Sequence, residues 1–215
     1  MSRGTRVAID VGGTFTDVVT LDGESAALKF DKVPTTPSHP EEGVLDGFAA
    51  SGAPMPDIET FIHGTTLGLN ALLTRRGART GIVTTKGFRD VYLLGRTDRI
   101  PMYDFKYRKP ATLVQRQHIV EVDERLDFEG RVLTPFDEEG AAAAARAIRD
   151  MGLDSVAVCF LHSYVNPDHE VRMAEILQAE APDVVGTVSS DLSRQLREFE
   201  RTSTAVCNAY VQPLV

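Results

Sequence analysis

Asp10-Val-Gly-Gly-Thr14-Phe-Thr16-Asp17 is the stretch on which the reading of this chain turns. An apolar run, Val7 to Val11, enters it and a second, Thr16 to Leu21, leaves it, so the paired glycines Gly12 and Gly13 turn one strand into the next. Without side chains at the turn, successive backbone N–H groups face outward and a phosphate can approach them. Thr14 and Thr16 add hydroxyl donors. Asp10, at the end of the first strand, suits Mg²⁺, an ion that keeps its waters and takes only one or two carboxylates. On this reading the segment is half of a clamp for a nucleoside triphosphate. The competing reading is an ordinary hairpin whose Asp bonds the turn amides. Neither Gly-x4-Gly-Lys-[Ser/Thr] nor Gly-x-Gly-x-x-Gly occurs, which removes support for P-loop and dinucleotide sites.

Outward from this hairpin, residues 26 to 33 read as a third strand. Proline and the acids Glu41 and Glu42 open a helix that runs to Gly52. Strand and helix then alternate. Ile58 to His63 leads into a helix over Thr65 to Arg76, closed by Gly77. Thr80 to Thr85 leads into a short helix through Phe88, Val91 and Leu94. Residues 96 to 118 mix charge, aromatics and proline without a period and read as a surface excursion. Asp137 to Met151 is a helix with Ala141, Ala145, Ile148 and Met151 on one side, Ser155 to Leu161 is a buried strand, and Asn166-Pro167-Asp168 opens the next helix. A last strand, Val184 to Val188, precedes a last helix over Gln195 to Tyr210. Three leading strands followed by this alternation predict an α/β fold, a mixed sheet covered by helices on both faces, as in the actin-like, ribonuclease-H-like architecture.

Composition narrows the function. The chain has 215 residues, room for one domain or one and a half at about 150 residues each. With 23 Lys and Arg against 31 Asp and Glu the net charge is −8, and no basic block gathers, so nucleic acid is an unsuitable partner. The longest apolar runs fall far short of the roughly 20 residues of a membrane span. No signal-peptide core follows Met1. The cysteines, Cys159 and Cys207, sit in apolar surroundings and fit buried thiols in a reducing cytoplasm.

Five further blocks, in order, carry a resemblance: Ile62-His-Gly-Thr-Thr66 with Asn70-Ala-Leu-Leu73, Arg75-Arg-Gly77, Val83-Thr-Thr-Lys-Gly-Phe-Arg-Asp90, Arg197-Glu-Phe-Glu-Arg-Thr-Ser-Thr204, and Asn208-Ala-Tyr210. With the Asp10 to Asp17 segment they resemble the hydantoinase A and 5-oxoprolinase family, which includes the acetone carboxylase β subunit, over essentially the whole chain. The resemblance implies the actin, hexokinase and Hsp70 fold group (ASKHA). It also implies ATP-dependent ring opening of a cyclic amide, in which phosphorylation activates the carbonyl oxygen. Asp10 and Thr14 are then the candidate catalytic residues and Asp10 the Mg²⁺ ligand. Gly12, Gly13, Thr14 and Thr16 would cradle the phosphates of ATP, with His63, Thr65 and Thr66 beside substrate or phosphate.

Family members are longer. Residues 1–190 are therefore expected to be the N-terminal domain and residues 191–215 the start of the following hydantoinase A domain. The expected partners are the remaining C-terminal part and a small cyclic amide, and a hydantoinase B subunit is a partner the resemblance leaves open. Self-association is expected through apolar surface at Phe199, Val206 and Tyr210. Two other classes compete: a small-molecule or sugar kinase of the same fold group, opposed by the His63 and Arg197 blocks, and a non-catalytic interaction module.

Other residues have two readings each. Thr65 or Thr66 either meets a ligand or caps a helix. Arg96, Asp98 and Arg99 either pair with a substrate carboxylate or form a solvated loop. His162 and His169 lack His-x-His or His-Glu-x-x-His spacing, which leaves a zinc site without support. Arg197, Arg201, Thr204 and Asn208 make the polar side of the last helix, read as facing either a cleft or solvent.

Overall fold

A computed structural model describes residues 4–36, 39–96 and 103–214. The chain divides into two compact units, Met1–Arg76 and Gly77–Val215. Asp98 and Arg99 lie outside the described residues.

In the first unit β1 (Thr5–Val11), β2 (Phe15–Leu21) and β3 (Leu28–Pro34) form an antiparallel meander, and β4 (Ile58–Thr65) pairs parallel to β1. The sheet order is β3-β2-β1-β4. Strand alternation sends Val7, Ile9, Val11 and Val18 to one face, where Val44 and Phe48 of helix α1 (Pro40–Ser51) pack on them. Two glycines let α1 approach. A Cβ on Gly47 would lie 2.9 Å from Val18 Cγ2, and one on Gly43 2.9 Å from Thr16 Oγ1. Proline at its start, Glu41 and Glu42 in its first turn, and Gly52 in the left-handed region at its end bound α1 as expected. Helix α2 (Leu67–Thr74) ends on Arg75 at φ 57°, and not on Gly77. Gly77 serves packing instead, since a Cβ there would meet the Tyr210 ring at 2.1 Å.

The second unit is built on a parallel sheet of order β10-β9-β5-β6, made from β5 (Thr80–Thr85), β6 (Ile119–Val122), β9 (Ser155–Cys159) and β10 (Val185–Val188). The expected single sheet is thus two, mixed in the first unit and parallel in the second. The short pair β7 (Arg125–Leu126) and β8 (Val132–Thr134) stands apart. Helices α4 (Glu138–Asp150) and α5 (Asp168–Glu180) cover one face through Ala141, Ala144, Ala145, Ile148, Met173 and Leu177. Helix α7 (Glu198–Val211) covers the other through Ala205, Val206 and Ala209. Both faces are covered, so β5 and β9 are buried throughout, as a parallel sheet requires. Short helices α3 (Val91–Leu94) and α6 (Ser189–Leu192) complete the unit. No helix among the described residues is long and apolar enough to cross a membrane.

Two expectations for the last helix are corrected. Val206 and Tyr210 are buried within the unit and offer no surface for self-association. Arg201, expected on a polar face, is 1% exposed. The buried stripe is Arg201, Thr202, Ala205, Val206, Ala209 and Tyr210. Small alanines facing the sheet, and not the larger Leu196 and Phe199, set the orientation of α7.

Arg201 belongs to a buried polar network. Its guanidinium donates to Phe160 O at 2.6 Å, Gln195 O at 2.9 Å and Ser189 Oγ at 3.1 Å. Glu170 accepts from Phe160 N at 2.8 Å, Ser189 Oγ at 2.6 Å and Ser190 N at 2.9 Å. Every charged atom finds a partner, the condition under which buried charge is tolerated. A second network joins Glu124 to Thr85 and to His169, whose Nδ1 lies 2.7 Å from Glu124 Oε2. His169 is thus a structural residue in the first turn of α5. Burial, with Glu170 nearby, pushes the Cys159 thiol up to about 12, whereas Cys207 is exposed and not buried as expected.

Arg201→Ala leaves Phe160 O, Gln195 O and the Ser189 hydroxyl without these donors, and is expected to cost about 2–4 kcal/mol of stability. Urea denaturation of the chain measures it. A loss below about 1 kcal/mol would show that these buried hydrogen bonds add nothing net to stability.

Candidate functional site

The candidate site lies wholly in the first unit, at the tip of the β1–β2 hairpin. Gly12 N donates to Phe15 O at 3.0 Å and closes the turn. A Cβ on Gly12 would fall 2.7 Å from that carbonyl oxygen, so no other residue fits without opening the turn. Gly13 and Thr14 are exposed, and their N–H groups have no hydrogen-bond partner among the described residues. Thr14 is held from the other side, its carbonyl accepting from Thr35 N at 3.0 Å.

The start of α2 stands beside this tip. Thr66 N donates to Val11 O at 3.1 Å, carrying the β1–β4 pairing into the helix. Asn70 Nδ2 donates to Thr66 Oγ1 at 3.1 Å and lies 3.2 Å from where a Gly13 Cβ would be. Thr65 caps the helix by accepting from Leu67 N at 3.2 Å, while its hydroxyl faces Val11 O at 3.4 Å. Gly68 and Leu69, in the first turn, also have unpaired N–H groups among the described residues. Two sets of free amides, at the tip and at the helix start, therefore suit an oxygen-rich anion.

Asp10 supplies the opposite charge. In register it pairs with Asp17 on β2 and Gly64 on β4, so the two carboxylates share the sheet face away from α1. Lys32 neutralises Asp17 at 2.9 Å. Asp10 is exposed and has no hydrogen bond or ion pair among the described residues. It does not bond the turn amides, which removes the basis of the plain-hairpin reading. An exposed, uncommitted carboxylate beside free N–H groups suits a cation that an anion brings with it.

The structure does not bring all the expected residues here. Thr16 is in register with Val11 and faces α1, fully buried, its hydroxyl 2.9 Å from Thr35 Oγ1. It is a core residue and no phosphate donor, because strand alternation turns it away from Asp10. His63 is in register with Ile9 and so lies on the face opposite Asp10. Arg96 is bound to Glu200 at 2.5 Å, in the other unit. Asp90 is held by Arg116 at 2.8 and 3.1 Å, and that guanidinium keeps its carboxyl below the usual range. Asn70 was visible in the sequence only as part of a motif. Its spacing of four from Thr66 is the signal that ties it to the helix start.

The α/β fold, with its mixed sheet and helices, is that of an actin-like ATPase-type N-terminal domain. The chain belongs to the family described as the hydantoinase/oxoprolinase N-terminal region, whose model matches residues 6–181. Among curated relatives, an uncharacterised protein of Methanocaldococcus jannaschii is 40% identical over 100% of this chain and 32% of its own. The acetophenone carboxylase gamma subunit of Aromatoleum aromaticum is 38% identical over 96% of this chain and 31% of its own. The caprolactamase subunit alpha of Pseudomonas jessenii is 33% identical over 98% and 32%. Among solved structures, nucleotide-free acetone carboxylase superposes with TM-score 0.86 at 26% identity, over 99% of this chain and 33% of that one. The ATP-dependent caprolactamase of P. jessenii superposes with TM-score 0.78 at 32% identity, over 97% and 32%. The chain spans about a third of the length of these relatives.

The two glycines are expected to differ in tolerance. Gly12→Ala must move a backbone carbonyl and should cost about 1–3 kcal/mol, whereas Gly13→Ala meets only the end of a flexible Asn70 side chain and should cost less than about 1 kcal/mol. Thermal melting of the two variants checks the turn geometry, and equal losses would contradict it.

Proposed function

We propose that this chain is the nucleotide-binding N-terminal domain of an ATP-dependent enzyme that opens cyclic amides, activating the amide carbonyl by phosphorylation. The observation that carries the reading is Asp10, uncommitted, next to the free amides of Gly13 and Thr14. The caprolactamase relative supports ATP-dependent lactam opening as the reaction class, and the carboxylase relatives support the same activation of a carbonyl compound.

An unstrained lactam is a poor electrophile. Transfer of the γ-phosphoryl group to its oxygen expels ADP and converts that oxygen into part of a leaving group. Water then adds to the carbon, the ring C–N bond breaks to free the amine and leave an acyl phosphate, and a second water displaces phosphate to give the carboxylate. Positioning and charge stabilisation do most of the catalytic work in such transfers. In this chain the Gly13 and Thr14 N–H groups and the Thr14 hydroxyl would hold phosphate oxygens, with the α2 first turn and Thr66 alongside. Asp10 fits Mg²⁺ as a single free carboxylate that leaves the remaining positions to water and phosphate, and when bound the ion would offset phosphate charge.

In the same reading residues 191–215 begin the region that follows the N-terminal domain in longer relatives, the remaining C-terminal part completes the nucleotide site, and the protein works in the cytoplasm, as its cysteine usage suggests. The subunit designations of the relatives support a hydantoinase B-type partner.

In the complete polypeptide, Asp10→Ala is expected to lower lactam-dependent ATP turnover on the order of 10²-fold or more. Because Asp10 makes no internal bond, the melting temperature should stay within about 2 °C. Turnover and melting measured on the same preparation decide it, and near-normal turnover would remove Asp10 from the mechanism.

A further inference from the structure

The second unit carries a cleft that the nucleotide site does not use. In its sheet the connection from β5 runs outward to β6, while that from β9 runs outward to β10. The order therefore reverses between β5 and β9, and in open α/β sheets ligands bind outside the carboxyl ends of the strands at such a reversal. A shallow, open cleft of about 650 Å³ lies at that end. Phe88 and Val91 follow β5, Leu161 follows β9, and Leu196 and Phe199 come from the start of α7.

The charges at the cleft cancel. Among the described residues the lining carries two cationic side chains, Arg96 and Arg197, and two acidic ones, Glu198 and Glu200, with Arg96 bound to Glu200 at 2.5 Å. The lining thus has no net charge to favour a ligand of either sign. The apolar walls favour a ring or short chain.

The unpaired polar groups are specific. At the start of α7 the N-cap makes no side-chain bond, and the N–H groups of Glu198 and Phe199 have no partner among the described residues. The Glu198 carboxylate likewise has none. His162 lines the same cleft at φ 59°, and its buried Nδ1 is without a hydrogen-bond partner. Donors for one carbonyl oxygen and an acceptor for one N–H thus lie along an apolar wall, and an amide presents both groups side by side.

We infer that this cleft binds a small, uncharged, largely apolar molecule bearing an amide, which makes it the seat of the cyclic amide. The identification of that ligand as the substrate rests on the function proposed above, while the binding chemistry rests on the cleft alone.

The test is titration of ε-caprolactam into the ¹⁵N-labelled 215-residue chain, followed by amide chemical shifts. Shifts should cluster at Leu161, His162 and residues 198–200. Leu196→Asp, at an exposed position, should weaken binding at least tenfold while leaving the spectrum otherwise folded. The anion 5-oxoproline should bind more weakly than caprolactam. Shifts confined to residues 10–17 or 66–70, no shifts at millimolar ligand, unchanged affinity in Leu196→Asp, or preference for the anion would each overturn the assignment. Lactam-dependent ATP turnover in the complete protein bears on the function instead, so the two failures are told apart.

Discussion

Strand β1 is hydrogen-bonded on both sides, antiparallel to β2 and parallel to β4, and the rest of the first unit follows from that position. One face of the strand, Val7, Ile9 and Val11, is committed to the core beneath α1, which forces Asp10 onto the other face. The antiparallel partner brings the chain straight back through Gly12 and Gly13. The parallel partner delivers α2 beside the same turn, because β4 ends where β1 ends. Free amides from a turn and from a helix start, and one free carboxylate, meet there as a result of strand pairing. The site needs no buried strain to hold it, only a sheet whose register cannot slip without exposing the valines.

The second unit is organised by a different constraint. Its parallel strands are buried on both faces, so the loop after β9 must satisfy backbone groups far from water. Glu170 and Arg201 do this for Phe160, and Thr85 with Glu124 does it for Leu161. Polar groups placed at the carboxyl ends of the central strands thereby fix the chain path around the cleft. Arg201 and Glu198 begin the same helix, and one is spent on structure while the other is unpaired among the described residues. Motif blocks in this unit are thus mixed in role: Asp90 and Arg201 hold the fold, whereas the Arg197 to Phe199 turn lines a cavity.

Much of this was legible in the residues. The hairpin around Gly12 and Gly13 follows from two apolar runs and two glycines, and α1 from its proline, acids and closing glycine. The exposed side of the Asp10 turn was also readable. Thr16 was not, because a hydroxyl next to a glycine turn looks available until register with Val11 shows that it points under α1. His63 failed for the same reason. On α7 the expected apolar surface of Phe199, Val206 and Tyr210 splits, because the buried stripe takes in Val206 and Tyr210 with two alanines and an arginine and leaves Phe199 outside. Long-range partners of a buried charge, such as Ser189 for Arg201, leave no mark in local sequence at all.

In the function we propose, the triphosphate rests on the tip of the β1–β2 hairpin. Hydrogen–deuterium exchange of the complete polypeptide, with and without ATP and Mg²⁺, reads it directly, since the Gly13 and Thr14 amides are exposed and unpaired and exchange fast until an acceptor covers them. The account predicts slowed exchange in the peptides spanning residues 12–15 and 66–70, lost in Asp10→Ala. Unchanged exchange at the hairpin tip, with protection confined to other segments, would contradict it.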